Sequence, residues 1–216
     1  MIVYVESNFI LELALGQEGA NAAESILSGA EQRLFELMIP AFSLSEPFGT
    51  MAHRGRERKK LGNLLEEQFR QLRRSRQHKA TIQPIETAPT VLLGLETAES
   101  DALDSVVMRS LRTAGRIELT ADMFEQALNY RRDYDLSSSD AIIYAAVVAD
   151  ARKRDRMRPK LFVSRNHRDF DIPQVRDELG LLGGEYCDSF ESAVEKLAQH
   201  NVKLPRPSVL PVPGVA

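Results

Sequence analysis

LSSSDAIIYAAVVA, residues 136–149, is the most informative stretch of this 216-residue chain. Three serines precede Asp140, and the nine residues that follow it are all apolar. Serine followed three residues later by an acidic residue is the spacing of a helix capping box, with Asp a looser match than Glu or Gln. A helix with so apolar a middle is buried on more than one side. We therefore predict a buried helix over residues 136–154 with a carboxylate at its start.

Short apolar runs bounded by polar or turn residues predict strands on both sides of this helix. We expect strands over residues 1–5, 34–39, 116–119, 160–164 and 185–187. Helical patterns lie between them, over residues 9–15, 21–33, 43–77, 90–114, 120–134 and 189–200, with a short helix or loop over 172–182. Strands that alternate with helices favour an α/β fold with a central, mostly parallel sheet.

The composition narrows the class of protein. Hydrophobic residues make up 43% and charged residues 27% of the chain, which is typical of a globular protein and excludes global disorder. A single cysteine, Cys187, excludes an intramolecular disulfide. The longest apolar run is about half as long as a membrane span, and no basic stretch precedes an apolar run at the start. We expect a cytoplasmic protein with no membrane partner.

Positive charge is concentrated in residues 54–79, which carry ten Lys or Arg against three Glu. This segment is +7, so the rest of the chain is −10. A basic segment on an acidic body favours a polyanionic partner, with nucleic acid the first candidate. The alternative is a solvated helix face with Glu–Arg pairing. We expect its apolar stripe to dock on the body and its arginines to remain near solvent. The stripe is Leu61, Leu64, Leu65, Phe69 and Leu72, and the arginines are Arg70, Arg73, Arg74 and Arg76.

Acidic residues follow several predicted strands or begin the next helix. They are Glu6, Glu46, Asp140 and Asp169. In a parallel sheet the loops at the carboxyl ends of the strands converge on one crevice, where these carboxylates would repel one another unless a cation neutralised them. Hard oxygen ligands suit Mg²⁺ or Mn²⁺. The alternative for Glu46 and Asp140 is helix capping, because each lies three residues after a serine.

Four segments that contain these acids resemble, in order, the segments of PIN domains. VYVESNFIL (residues 3–11) is similar to the first, and IPAFSLSE (39–46) to the second. LSSSDAIIYAAVVA (136–149) is similar to the third and is the most specific match, and KLFVSRNHRDFD (160–171) resembles the fourth. The resemblance covers residues 1–50 and 116–171, which is roughly half of the chain.

The resemblance implies a three-layer α/β/α fold and a metal-dependent endoribonuclease that cleaves single-stranded RNA with Mg²⁺ or Mn²⁺. It implies that the residues of the catalytic metal site are Glu6, Glu46, Asp140 and Asp169, supported by Asn8 and Asn166. Asn166 occupies the slot often held by Asp, so Asp169 is the nearby acid that would substitute. VapC-type toxins belong to this family, which makes an antitoxin protein and a homodimer further expected partners.

Two features depart from the family pattern. The first acid is Glu6 where PIN domains normally have Asp, and residues 55–115 make the chain longer than a compact PIN toxin. We expect one PIN-like domain over residues 1–200 that includes this basic helical insertion, followed by a Pro-rich tail over 201–216 that is extended or disordered. The departures keep a second hypothesis open: a catalytically impaired PIN-like module that binds RNA or another protein. A phosphohydrolase is disfavoured because the first strand lacks a D-x-D pattern.

Overall fold

The computed structural model describes residues 1–206 as an α/β fold around one five-stranded sheet. Its strands are β1 (Ile2–Val5), β2 (Glu36–Pro40), β3 (Gly115–Ile117), β4 (Lys160–Val163) and β5 (Gly184–Cys187). Their order is β3-β2-β1-β4-β5, and each neighbouring pair is parallel. The central parallel sheet predicted from the sequence is therefore confirmed. Of the predicted tail, residues 207–216 lie outside the described residues.

The helices occupy the connections between the strands. They are α1 (Ser7–Leu15), α2 (Ala20–Glu31), α3 (Ala41–Leu72), α4 (Arg76–Ile82), α5 (Ala88–Thr113), α6 (Ala121–Asp133), α7 (Ser138–Lys153), α8 (His167–Phe170), α9 (Pro173–Leu181) and α10 (Phe190–Gln199). A 3₁₀ turn, Gln83–Ile85, lies between α4 and α5. The predicted helix over 43–77 ends earlier, at Leu72, and α8 was not predicted.

Both faces of the sheet are buried beneath helices. On one face, Val3 and Val5 pack with α1, α2, α5 and α10. On the other face, Ile2 and Tyr4 pack with α6, α7 and α9. Strands that are buried on both sides have continuous apolar sequences, which explains why β1 and β4 lack polar alternation. The chain therefore forms three layers, helix on sheet on helix.

Helix α7 is buried on several sides, as its apolar sequence predicts. Seven of its residues between Ala141 and Val148 are buried, and Ile142 is half-buried. The ring of Tyr144 contacts the rings of Tyr130 on α6 and Phe162 on β4. The apolar helix is therefore enclosed between the sheet and α6, and its first turn is held at the carboxyl edge of the sheet.

Helices α3 and α5 extend from the sheet as an antiparallel pair. We call residues 55–102 the helical hairpin; its two arms pack mainly on each other. The arms approach closely at two glycines of α3: a Cβ on Gly55 would lie 3.0 Å from Oε1 of Glu96, and one on Gly62 would lie 3.7 Å from Cγ of Leu93. Helix α3 is continuous through these two glycines, and their lack of a side chain lets α5 pack closely against it.

The prediction that the apolar stripe of α3 docks on the body is wrong for most of its residues. Phe69 is buried, but Leu61, Leu64 and Leu72 are 47%, 55% and 37% exposed. The physical reason is that α3 continues beyond the sheet, where α5 is its main neighbour. A pair of helices can cover only one side of each helix, so part of the stripe stays at the surface.

Arg109 links α5 to α2 through two ion pairs, and its replacement should destabilise the fold. Its guanidinium pairs with Glu24 at 2.6 Å and Glu31 at 2.7 Å, and Glu24 is only 1% exposed. Arg109→Ala leaves the buried Glu24 carboxylate without its cation, so we expect the free energy of unfolding to fall by about 3 kcal/mol in urea titration. Arg73→Ala, which breaks an exposed pair with Glu86, is the matched control and should cost under about 1 kcal/mol. Equal losses would contradict this assignment.

Candidate functional site: a carboxylate cluster

Glu6 lies at the centre of the predicted site, directly after β1. It is the N-cap of α1, and its Oε2 accepts a hydrogen bond of 2.8 Å from the backbone N–H of Asn8. Its Oε1 accepts one of 2.9 Å from the hydroxyl of Ser164, which follows β4. Glu6 is 3% exposed and Ser164 is fully buried. The carboxylate is thus fixed between the ends of two neighbouring strands.

The electrostatic environment of Glu6 shows which other acids are near it. Burial raises the pKa of Glu6 to about 7, and the negative charges of Asp140 and Glu46 add to this rise. The hydrogen bonds from Asn8 and Ser164 act in the opposite direction because they favour the ionised carboxylate. Glu6 therefore lies within electrostatic reach of both Asp140 and Glu46, as the sequence predicts.

Asp140 lies in the first turn of α7 and faces a second acid. Its backbone N–H donates to Oγ of Ser137, the N-cap residue, at 3.2 Å, and the Ser137 hydroxyl donates to the Asp140 carboxylate. Burial raises the pKa of Asp140, and the carboxyl of Asp169 raises it further from hydrogen-bonding distance. The side-chain amide of Asn166 donates to Oδ2 of Asp169 at 2.8 Å. These contacts bring together Asp140 and Asp169, the third and fourth of the predicted acids.

Glu46 belongs to the cluster through α1, and the capping explanation for it is wrong. The hydroxyl of Ser7 donates a hydrogen bond to the Glu46 carboxylate. Helix α3 begins at Ala41 with Pro40 as its N-cap, so Ser43 lies inside the helix. The Ser43 hydroxyl is buried and has no hydrogen-bond partner in the described part of the chain. The Ser43–Glu46 spacing therefore does not form a capping box.

The cluster contains four acids and no neutralising side chain. Across residues 1–206, none of the four acids forms an ion pair with Lys, Arg or His. Arg165, which follows Ser164, pairs with Glu12 at 2.8 Å and Glu18 at 3.8 Å. Carboxylate oxygens of this kind are the donors that Mg²⁺ and Mn²⁺ prefer, so the donor chemistry fits such an ion. No three acidic, His or Cys side chains in the described ranges are gathered closely enough to hold a metal ion as they stand.

The predicted RNA-binding arginines lie far from the carboxylates. Arg70 is 24 positions after Glu46 on the same helix, which corresponds to about 36 Å at 1.5 Å per residue. Arg74 and Arg76 follow in and beyond the next turn, and Arg73 pairs with Glu86 at 2.6 Å. All four arginines are exposed, as predicted. The structure therefore places the predicted basic residues and the predicted acids at opposite ends of α3.

Three serines that hold the acids were not predicted as site residues. Ser7, Ser137 and Ser164 each donate a hydroxyl hydrogen bond to a carboxylate of the cluster. Ser164 directly follows β4, so its position at a strand end is the same signal that selects Glu6. Ser7 has no such signal, because its partner Glu46 is 39 residues away in the chain.

Two further findings concern the relatives of the chain and the length of its helices. No protein-family model, curated protein or solved structure matches it. Within residues 1–206, no helix is both long and apolar enough to cross a membrane. Function is therefore inferred from the chemistry of the cluster.

Glu6 should make the stability of the protein depend on pH. Because the pKa of Glu6 rises from 4.5 in the unfolded chain to about 7 in the folded one, the folded chain binds a proton more tightly. The free energy of unfolding should therefore fall as pH rises from about 4.5 to 7, by about 3 kcal/mol, and Glu6→Gln should remove this fall. Urea titrations at pH 5 and 8 without divalent cations measure it. Glu18→Gln, at a 95% exposed side chain, is the control; a Glu6→Gln variant with the wild-type pH dependence would contradict the assignment.

Proposed function

We propose that the protein is a metal-dependent endoribonuclease that hydrolyses phosphodiester bonds of single-stranded RNA. One observation carries the proposal: Glu6, Glu46, Asp140 and Asp169 come from four separate segments, each lies within electrostatic reach of at least one other at the carboxyl edge of a parallel sheet, and none has a cationic partner in residues 1–206. Mg²⁺ or Mn²⁺ bound by these carboxylates would activate water and stabilise the departing oxygen of the phosphodiester.

The chain's own side chains prepare the site for such chemistry. Each acid has a polar partner that fixes its orientation: Ser164 for Glu6, Ser7 for Glu46, Ser137 for Asp140 and Asn166 for Asp169. Acids that are already oriented lose little conformational freedom when a cation or a phosphate arrives. Orientation of the four acids is the contribution of this fold to the proposed reaction.

The resemblance of four sequence segments to PIN domains supports the same function. The acids follow β1, β2 and β4 or begin α7, in the order in which the PIN segments carry theirs. A role as a VapC-type toxin and an antitoxin partner belong to this proposal on the resemblance alone. The cytoplasmic location is the expectation from the composition and the short apolar runs of the sequence. The helical hairpin lies within the proposed insertion over residues 55–115.

A specific observation favours the second candidate, a catalytically impaired module that binds RNA or protein. Both carboxylate oxygens of Glu6 already accept hydrogen bonds, from Asn8 and Ser164, so Glu6 can serve as a structural cap alone. Asn166 also stands where PIN domains often have an acid. Cleavage of RNA in the presence of Mn²⁺, compared with binding alone, separates the two candidates.

Asp140→Asn tests the site directly. Asparagine keeps the size of the side chain, so loss of helix stabilisation should cost no more than about 1 kcal/mol. We expect Mn²⁺-dependent cleavage of single-stranded RNA to fall at least a hundredfold while the melting temperature changes little. Asp122→Asn is the matched control, since Asp122 lies in the first turn of α6 after its own N-cap, Thr120. Normal cleavage by Asp140→Asn would make Asp140 structural and remove the nuclease proposal.

The basic residues of the hairpin support an RNA path that leaves the cluster along α3. Arg56, Lys59, Asn63 and Arg70 are exposed and recur every three, four or seven residues, so they share one side of the helix. A stacked strand advances about 3.4 Å per nucleotide, so an RNA that reaches Arg70 from Glu46 needs roughly ten nucleotides. Shorter RNA would contact the cluster without reaching the tip of the hairpin.

The length of RNA should decide whether the tip arginines matter. In a variant with Arg70, Arg74 and Arg76 replaced by Gln, the slope of log affinity against log salt should flatten by about 2 for a twenty-nucleotide strand. The slope should not change for a tetranucleotide. Replacing Arg131, Arg132 and Lys153 by Gln removes equal charge elsewhere and is the control. Binding measured from 50 to 300 mM salt decides; equal slopes for variant and wild type on the long strand would exclude this path.

A further inference from the structure

A cleft of about 200 Å³ lies between α3 and α5 at the base of the helical hairpin. Its apolar lining is Met51 and Ala52 of α3 and Leu103 of α5. Phe48 of α3, which is 43% exposed, adds an aromatic ring to this lining. The cleft is smaller than the sites of about 300–1,000 Å³ that hold drug-sized ligands, so it suits one flat chemical group.

The charged side chains of the cleft differ in whether they have partners. Arg58 on α3 forms an ion pair with Glu99 on α5, which joins the two arms. The hydrogen bond with Glu99 raises the pKa of Arg58, and the charge of Glu96 adds to this rise, so Glu96 lies close to the pair. Glu96 itself forms no ion pair within residues 1–206. The cleft therefore offers one unpaired carboxylate, with the N–H groups of Arg58 near it.

The absence of a side chain at Gly55 makes room for this carboxylate. A Cβ at Gly55 would lie 3.0 Å from Oε1 of Glu96 and 3.2 Å from its carboxyl carbon. Both residues line the cleft. The carboxylate of Glu96 therefore lies against the backbone of α3, where a group that enters the cleft can meet it.

The cleft lies on the side of α3 that carries the proposed RNA path. Phe48 and Ala52 precede Arg56 by eight and four residues, so they share its side of the helix. Arg56 and Lys59 are the first basic residues of the path, and all four residues are exposed. An RNA strand whose phosphates contact Arg56 and Lys59 therefore passes the cleft.

We propose that this cleft binds one guanine base of the RNA substrate, with the base stacked on Phe48 and its Watson–Crick edge toward Glu96. The inference rests on the proposed nuclease function, because it assigns a base preference to the same substrate. Stacking on aromatic side chains and hydrogen bonds to the Watson–Crick edge are the usual means by which proteins read single-stranded RNA.

The pattern of donors on the bases selects guanine. A carboxylate only accepts hydrogen bonds, and its two oxygens can accept two parallel ones. Guanine presents two adjacent donors, N1–H and the 2-amino group, whereas adenine and cytosine present one amino group beside an acceptor nitrogen and uracil presents one N–H between two carbonyl oxygens. Only guanine can therefore use both oxygens of Glu96 without turning an acceptor toward its charge. Arg58 can donate to O6, the acceptor beside N1 of guanine.

The position of the cleft along α3 sets its distance from the carboxylate cluster. Phe48 and Gly55 are two and nine positions after Glu46, which correspond to about 3 and 14 Å along the helix axis. At about 3.4 Å per stacked nucleotide, the guanine lies within about four nucleotides of a phosphate at the acids. A base held in the cleft would therefore determine which phosphate reaches the carboxylates.

Binding of four labelled heptanucleotides, UUUGUUU, UUUAUUU, UUUCUUU and UUUUUUU, tests the base preference. Fluorescence anisotropy is measured without divalent cations, so that no strand is cleaved. Wild type should bind the guanine strand at least tenfold more tightly than the other three. Glu96→Gln should abolish this preference, because Gln offers one acceptor and one donor, a pattern that fits adenine. The adenine strand should then bind at least as tightly as the guanine strand.

Glu67→Gln is the matched control for Glu96→Gln. It removes the same charge from an exposed position of the hairpin outside the cleft, so the guanine preference should remain. Circular dichroism checks that every variant is folded. Wild type that binds all four strands within twofold, or a Glu96→Gln variant that keeps the preference, would overturn the proposal.

Replacement of Phe48 tests the stacking contact. Phe48→Ala should weaken binding of the guanine strand about tenfold, which corresponds to the loss of one stacked base. Phe124→Ala removes a similarly exposed ring (49%) from α6 and should leave the affinity within twofold of wild type. Equal affinities of Phe48→Ala and wild type would contradict stacking on Phe48.

Cleavage measurements separate this proposal from the nuclease function. With Mn²⁺, wild type should cut the guanine strand mainly at one phosphate within about four nucleotides of the guanine. Asp140→Asn should lose cleavage but keep the guanine preference in binding. Preferential binding of the guanine strand without any cleavage would remove the nuclease function alone, whereas equal binding and cleavage of all four strands would remove the guanine site alone.

Discussion

The hydrogen bond from Ser164 to Glu6 joins the carboxyl ends of β1 and β4, and the arrangement of the candidate site depends on it. Removal of a carboxylate from water is costly, and here no cation among residues 1–206 offsets the cost. The apolar layers on both faces of the sheet supply the free energy that holds Glu6 in place. Asp140, on the apolar helix α7, is brought near Glu6 by the same packing. The buried carboxylates therefore lower the stability of the fold at this edge, which is common where a fold is adapted to bind a ligand.

Much of this arrangement could be predicted from the sequence because the sheet is parallel. Each acid is adjacent to an apolar segment that is easy to recognise, and parallel pairing alone brings the ends of such segments together. Glu6 and Asp140 could be assigned to the site from the sequence without knowledge of tertiary contacts. The hydroxyl partners were harder to predict: Ser7 meets Glu46 only because α1 packs beside α3, a contact that local pattern does not encode.

The errors have a common physical origin. An amphipathic pattern such as Leu61–Leu65–Leu72 shows that one side of a helix is apolar, but not which element covers it. The Ser43–Glu46 spacing fits a capping box, yet α3 already begins at Ala41, directly after β2 ends at Pro40, so Ser43 lies inside the helix. Gly55 and Gly62 lie inside the predicted helix, and the sequence does not show that their lack of a side chain lets α5 approach there. Local sequence patterns therefore predict the helices and strands well, but they predict poorly which of these elements pack against each other.

The continuity of α3 sets the distance between the acids and the basic tip of the hairpin. About 36 Å of helix separate Glu46 from Arg70, so the tip does not contact the carboxylates. Arg56 and Lys59 are exposed on the same helix, 10 and 13 positions after Glu46, and lie between the acids and the tip. The proposed RNA path therefore depends on α3 remaining one helix through Gly55 and Gly62, because an interruption there would turn the tip arginines away from the line that Arg56 and Lys59 begin.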